Sequence, residues 1–305
     1  MTTTPKQTRS YLMRRFDEAG IRPKTRFGQN FLIDLNLLQL LFESADVTDR
    51  DVVLEVGTGT GGLTALLAQA AARVITLEVD REMFQLAGEE LAGLENIRMI
   101  RRDVLKNKNR FAPEVLTAIE EELAATEADA RFKLAANLPY NVATPIVSNL
   151  LLLDRPPVSM TVTIQKELAD RMAANPSTKD YGALSVWVQC QCAVEIVRIM
   201  PPSVFFPRPK VESAIVKITL EPDRRAAIPD LNFLHTTLRA LFLHRRKFLR
   251  SVTLSAFKNR LTKPEVDAVL SDQGMSGMLR AEALTVEQLL SLCEALRQQL
   301  LAQEQ

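Results

Sequence analysis

The chain has 305 residues, 47% hydrophobic and 25% charged, with a formal net charge of +1, the composition of a globular protein with room for two domains. No apolar run reaches the ~18 residues that span a bilayer, and the opening Met1-Thr2-Thr3-Thr4-Pro5-Lys6 lacks the apolar centre of a signal peptide, so a cytoplasmic protein without a membrane partner is expected. Cys190, Cys192 and Cys293, with His235 and His244, are too few and too poorly spaced for a disulfide framework or a metal site.

The small net charge conceals a segregation. Residues 1–30 carry 7 basic and 2 acidic side chains, and residues 31–197 carry 15 and 24. Residues 198–260 carry 13 and 4, and residues 261–305 carry 3 and 7. Two basic segments flanking an acidic body would clamp a polyanion, because phosphate contacts dominate nucleic-acid affinity. The competing reading is basic side chains that only solvate helix faces.

In chain order, residues 5–19 read as a basic helix ending at Gly20, and Leu35–Ala45 as a second helix. An alternation then begins. Strands are expected at Val52–Val56, Arg73–Leu77, Ile97–Ile100, Phe132–Ala136 and Val158–Ile164. Helices are expected at Leu63–Ala71, Arg81–Leu91, Pro113–Ala125 and Thr144–Leu153. Alternating strands and helices imply a parallel sheet covered on both faces. Val194–Ile199 and Ser213–Leu220 are too close for a helical crossover and would pair antiparallel at the sheet edge, around the loop Pro201–Pro209. Glu221–Arg225 reads as a linker, and everything after it as helical. The expected division is an α/β domain over 1–222, with a basic segment at 1–30, and an all-helical domain over 223–305.

Gly57–Gly62 fits G-x-G-x-x-G between a strand and a helix, where glycines let the backbone approach a nucleotide cofactor. Glu78, at the end of the second strand, would bind ribose hydroxyls. Such a loop alone equally suits a dinucleotide. Two details favour S-adenosylmethionine: Glu55, two residues before the first glycine, suits a sulfonium, and Asp103, after the third strand, can accept from an adenine amino group.

Asn137-Leu138-Pro139-Tyr140 follows the fourth strand. An aromatic amine is a weak nucleophile because its lone pair is delocalised into the ring. The Asn137 side-chain carbonyl and the Leu138 main-chain carbonyl, held by Pro139, would accept its two hydrogens and free that pair. Tyr140 would stack on the ring. Methyl transfer is an in-line displacement, so alignment is the main requirement.

These motifs, with Arg26–Leu32, Leu77–Asp80, Gln165–Glu167, Tyr181–Ser185, Phe205–Ser213 and Arg245–Lys247 in order from about residue 24 to 252, make the chain resemble the ribosomal RNA adenine dimethyltransferases of the KsgA type. The resemblance implies a Rossmann-like methyltransferase sheet, mostly parallel with an antiparallel edge strand, and a small C-terminal helical domain. It implies S-adenosylmethionine contacts from Asn30, Leu32, Gly57, Gly59, Glu78, Asp103 and Asn137, and Phe205 stacked on the target base opposite Tyr140. The implied reaction moves four methyl groups onto two adjacent adenosines near the 3′ end of small-subunit (16S) rRNA, the bases being extruded to reach the pocket. The expected partner is that rRNA within an immature 30S-type particle. The protein would act as a monomer with no obligate protein partner and with a role in subunit maturation. Arg208, Lys210, Arg245, Arg246, Lys247 and Arg250 would hold RNA phosphates. Two departures from the resemblance stand out: a long connection between Asp103 and Asn137, and Arg208 where the family commonly has proline. The alternatives are a resistance-type enzyme dimethylating one large-subunit adenosine, an assembly factor with an idle site, and a small-molecule methyltransferase.

Overall fold

Runs of β-branched and aliphatic residues, buried on both faces, become the strands of the central sheet. The computed structural model describes residues 9–24 and 27–303. The first half of the chain forms α1 (Arg9–Ala19), β1 (Phe31–Leu32), α2 (Leu35–Ser44), β2 (Asp51–Val56), α3 (Gly62–Ala70), β3 (Arg73–Leu77), α4 (Arg81–Glu90), β4 (Ile97–Ile100), β5 (Leu105–Asn107), β6 (Arg110–Phe111), α5 (Pro113–Ala125), β7 (Arg131–Asn137) and α6 (Ala143–Leu150). There follow β8 (Ser159–Gln165), α7 (Lys166–Met172), α8 (Ala183–Gln189), β9 (Cys192–Met200), β10 (Phe205–Phe206), β11 (Ser213–Leu220), α9 (Pro222–Ala226), α10 (Leu231–Leu241), α11 (Leu249–Ala256), α12 (Lys263–Asp272) and α13 (Val286–Gln303).

The main sheet has seven strands in the order β4-β3-β2-β7-β8-β11-β9. Strands β4 through β8 of that order run parallel, and β11 pairs antiparallel with β8 from Ser213↔Gln165 to Thr219↔Ser159. The strands and helices expected from the alternation are all present, most within two residues of their expected ends. Three features differ from the sequence reading. The long connection after Asp103 folds into the small β5–β6 hairpin before α5. Phe31-Leu32 and Phe205-Phe206 form a separate two-stranded ribbon, with Phe31↔Phe206 and Leu32↔Phe205. Glu221–Arg225 is no linker: Pro222–Ala226 is a helical turn with proline in its first turn. The expected helix at 5–19 is seen from Arg9, its first residues lying outside those described.

The chain divides into two compact units. The first runs to Ala169 and resumes over Glu195–Thr219; the second takes Asp170–Val194 and everything from Leu220. This partition differs from a boundary at 222, because Ala183–Gln189 packs on α10 and α13. The fully buried Trp187, its ring 4.7 Å from that of His235, shows why: a large apolar side chain in α8 has its partner in α10. The core of the first unit gathers Leu41, Val53, Leu67, Val74, Ala135 and Ile215 around β2, β3 and β7. No helix among the described residues is long and apolar enough to cross a membrane.

Candidate active site

The chain passes from β2 to β3 and β4 on one side, then returns to lay β7 on the other side of β2. Such a reversal leaves a crevice at the carboxyl ends of the strands, where α/β sheets bind ligands. A cavity of about 290 Å³ lies there, near the lower end of the range for small-molecule sites. Its wall includes Val56 and Gly57 at the end of β2, Leu77, Glu78 and Val79 at the end of β3, Arg102–Val104 after β4, and Asn137–Pro139 with Asn141 and Val142 at the end of β7 and beyond. Phe27–Phe31 complete it.

The glycine loop explains why the cavity is open. Gly59 has φ +56°, and a side chain there would press its first carbon to 3.2 Å from the Phe31 ring. Gly28, at φ +65°, leaves room for Asn141: an added Cβ would lie 2.9 Å from its Oδ1. Both positions are therefore closed to side-chain-bearing residues without movement.

Two buried carboxylates flank this loop and face opposite ways. Glu78 lines the cavity, and its oxygens accept from the N–H of Gly59 at 3.0 Å and of Asp80 at 2.9 Å. Burial pushes its pKa up against those hydrogen bonds. Glu55 is buried beneath the loop, where its Oε2 accepts from Thr64 Oγ1 at 2.5 Å and Thr76 Oγ1 at 2.6 Å. Thr76 also meets Thr58 of the loop at 2.6 Å. Burial raises the pKa of Glu55 from 4.5 to about 8. The expectation that Glu55 serves the sulfonium is corrected here: its carboxyl is consumed by two threonines and is absent from the cavity wall. The three threonines are missing from the sequence reading, since a hydroxyl in a strand or helix carries no local sign of its partner.

Asn137 ends β7 with its amide pinned. Its Nδ2 donates to the carbonyl of Asn30 at 2.9 Å, while its Oδ1 is buried with no hydrogen-bond partner. A buried acceptor without a donor costs about 1–3 kcal/mol, so a ligand N–H there recovers what folding left unsatisfied. Asn30 is itself held, donating Nδ2 to the carbonyl of Gly28 at 3.2 Å. The loop 27–31 thus orients the Asn137 amide within the cavity wall.

The remaining expected residues divide. Asn30, Gly57, Gly59, Glu78, Asp103, Asn137, Leu138 and Pro139 all line the cavity. Tyr140 stands beside it, half-buried, sharing a 2.5 Å hydrogen bond with Ser213 Oγ; burial raises its pKa. Leu32 and Phe205 are not on the wall. They pair across the β1–β10 ribbon and are 4% and 2% exposed, within the apolar core. Val79 and Val104, to which the sequence reading gives no role in the site, put apolar surface beside Glu78 and Asp103.

The basic residues divide too. Arg245-Arg246-Lys247 lies in the turn between α10 and α11 rather than on a helix. Arg245 is tied to Glu282 at 3.0 Å and donates to the carbonyls of Lys179 and Thr178. Arg250 forms a two-pronged pair with Asp267. Arg246, Lys247, Arg208 and Lys210 are exposed and have no carboxylate partner among the described residues.

Comparison with known proteins settles the lineage. A family model described as ribosomal RNA adenine dimethylase matches residues 20–298. The chain belongs to that family. Proteins named ribosomal RNA small subunit methyltransferase A are close relatives: that of Bacillus licheniformis is 36% identical over 299 residues, 98% of each chain. That of Lactiplantibacillus plantarum is 39% identical over 280 residues, 92% of each chain. In fold, the dimethylase is similar to a crystal structure of a dimethyladenosine transferase from Plasmodium falciparum (TM-score 0.72, 24% identity, 87% of this chain and 97% of that one). It is also similar to the 23S rRNA methyltransferase ErmE (TM-score 0.60, 25% identity, 88% and 99%).

The cofactor of this dimethylase is S-adenosylmethionine, and the cavity suits it. A glycine-floored crevice, an acceptor at Glu78, another at Asp103 and apolar surfaces at Val79 and Val104 match a nucleoside with a ribose and a planar base.

Proposed function

We propose that this dimethylase transfers methyl groups from S-adenosylmethionine to adenine N6 of small-subunit rRNA, producing N6,N6-dimethyladenosine. At the finer level, the targets are two adjacent adenosines near the 3′ end, met in an immature small-subunit particle. On this reading the enzyme acts as a cytoplasmic monomer without an obligate protein partner and contributes to subunit maturation. The observation that carries the reading is the buried, unpartnered Oδ1 of Asn137 at the mouth of the sheet crevice.

The bound cofactor supplies an electrophilic methyl group. Glu78 and Asp103 would hold the nucleoside end by accepting hydrogen bonds, and Gly57 and Gly59 would leave room for it beside the backbone. Asn137 Oδ1 and the Leu138 carbonyl accept the two N6 hydrogens of the target adenine, turning its lone pair out of conjugation. The Asn30 carbonyl fixes the Asn137 amide so that oxygen, and not nitrogen, faces the amine. Tyr140, steadied through Ser213, offers a face to the base. Phe205 takes the opposite face only if the β1–β10 ribbon opens to release it. The methylated nitrogen, four-bonded and positively charged while it still carries hydrogen, sheds that proton readily, so no general base is assigned.

The test is methyl transfer from labelled S-adenosylmethionine to small and large subunits that lack adenosine dimethylation. Label recovered as dimethyladenosine in small-subunit rRNA alone is the expected result. Label in large-subunit rRNA would replace this reading with the resistance-type one.

A further inference from the structure

The segment 101–111 carries five basic residues, Arg101, Arg102, Lys106, Lys108 and Arg110, against one acid, Asp103. It lies inside the acidic block 31–197, whose total hides it. Its root lines the cavity, through Arg102, Asp103 and Val104. Beyond the root it forms the β5–β6 hairpin, which is anchored at both ends. Asp103 Oδ1 accepts the N–H of Leu105 at 2.9 Å, Ala112 N–H donates to the Val104 carbonyl at 2.9 Å, and Phe111 is buried. Near the tip, Asn149 of α6, itself buried, donates to the Lys108 carbonyl at 3.2 Å. The hairpin is therefore fixed to the cavity wall and to the helix that follows Asn137–Tyr140.

The cations around it are treated in two ways. Arg98 is neutralised by Glu121 and Glu122, and Arg102 by Glu114 at 3.0 Å. Lys106, Lys108 and Arg110 are exposed and lack a carboxylate within ion-pair distance among the described residues. A local helix rich in glutamate satisfies Arg98 and Arg102 and leaves these three, like Arg101, unneutralised on a fixed backbone.

We propose that the β5–β6 hairpin is a phosphate-binding rim, on which Lys106, Lys108 and Arg110 contact the backbone of the rRNA strand that delivers adenine to the cavity. The inference rests on rRNA being the substrate. Unpaired cations on a hairpin rooted in the cavity wall hold the flanking phosphates without reading sequence, while the base itself is recognised inside. The rim is legible only in the fold, which joins a basic stretch, otherwise unexplained, to the cavity wall.

The experiment compares the wild type, Lys106→Ala/Lys108→Ala/Arg110→Ala and the charge-conserving Lys106→Arg/Lys108→Arg/Arg110→Lys. Each is titrated with small subunits lacking adenosine dimethylation across a series of salt concentrations, and separately with S-adenosylmethionine. Each lost phosphate contact lowers the slope of log affinity on log salt by about 0.7–0.9. The alanine variant should therefore be shallower by about two to three and bind subunits at least ~10-fold more weakly at low salt. Its affinity for S-adenosylmethionine should be unchanged, and the charge-conserving variant should match the wild type. An alanine variant with wild-type slope and affinity overturns the proposal. Loss of S-adenosylmethionine affinity in either variant overturns it as well, by making the hairpin a support of the cavity. Wild-type protein that neither binds nor methylates small subunits would instead sink the substrate reading.

Discussion

The two sides of the glycine loop after β2 use polar groups in opposite ways. Beneath the loop, Glu55 gives its carboxyl to Thr64 and Thr76, and Thr76 reaches Thr58, so hydrogen bonds close on themselves. Above it, Asn137 leaves an acceptor unmatched in a buried place. A closed network fixes a shape; an open acceptor waits for a donor. If that contrast is right, changes on the upper side should reduce chemistry and changes on the lower side should reduce stability. The largest effect should come from Asn137→Ala. By the scale of removing one preorganised polar group from a reacting centre, methyl transfer at saturating substrate should fall about 10²- to 10³-fold. Thermal stability should change little, because losing the hydrogen bond to the Asn30 carbonyl is offset by removing the orphaned oxygen. An equal loss of both activity and stability would break the comparison.

Phe205 sharpens it from a third position. The family resemblance implies that this residue stacks on the target base, yet here it fills the core beside Leu32 with 2% exposure. Phe205→Ala should destabilise the protein by about 3 kcal/mol as a cavity mutation. Phe205→Leu should restore most of that stability. If Phe205→Leu is stable but still poorly active toward rRNA, the ring does leave the core to stack. If activity returns with stability, its role is packing.

The lower side makes a prediction about pH. Glu55 holds its proton in the folded protein up to about 8, whereas the unfolded chain releases it near 4.5. The folded state binds more protons between these values, so this contribution to stability is full below 4.5. It declines as pH rises toward 8 and is gone above it. The effect amounts to a few kcal/mol at most. Melting measured from pH 5 to 8.5 should show a steeper decline for the wild type than for Glu55→Gln, whose amide does not titrate. Parallel curves would mean that Glu55 titrates outside this window.

Much of this was legible before the fold was known, and the reasons differ by residue. Val52–Val56 and Phe132–Ala136 announced buried strands because parallel sheets leave no polar face, and the glycines and Asn137–Tyr140 followed from their places at strand ends. The same fully buried strand hid the direction of Glu55: with both faces covered, alternation does not say which way a side chain points. The ribbon joining Phe31-Leu32 to Phe205-Phe206 was invisible because two-residue strands have no period and their partners are far apart in sequence. Trp187 looked like part of the sheet domain until its packing placed it with the C-terminal helices. The hairpin at 105–111 is polar at every residue between Leu105 and Phe111, and its shape comes from the buried Phe111 and from hydrogen bonds to the cavity wall and to Asn149.

The smallest effects concern the turn at 242–248, where closed and open groups stand side by side. Arg245 is closed, bridging Glu282 and the carbonyls of Lys179 and Thr178. Arg246 and Lys247 are open. Arg245→Ala should therefore act on stability, by about 1 kcal/mol after allowance for its partial exposure, with subunit binding scarcely altered once the protein is folded. Arg246→Ala/Lys247→Ala should leave melting unchanged, weaken subunit binding by a few-fold, and lower the salt slope by about one to two. Should Arg245→Ala be the variant that changes the salt slope, the ion pair with Glu282 opens to meet RNA. Pairing in the free protein would then be a resting state and not a fixed role, and the division between closed and open groups would hold only beneath the glycine loop.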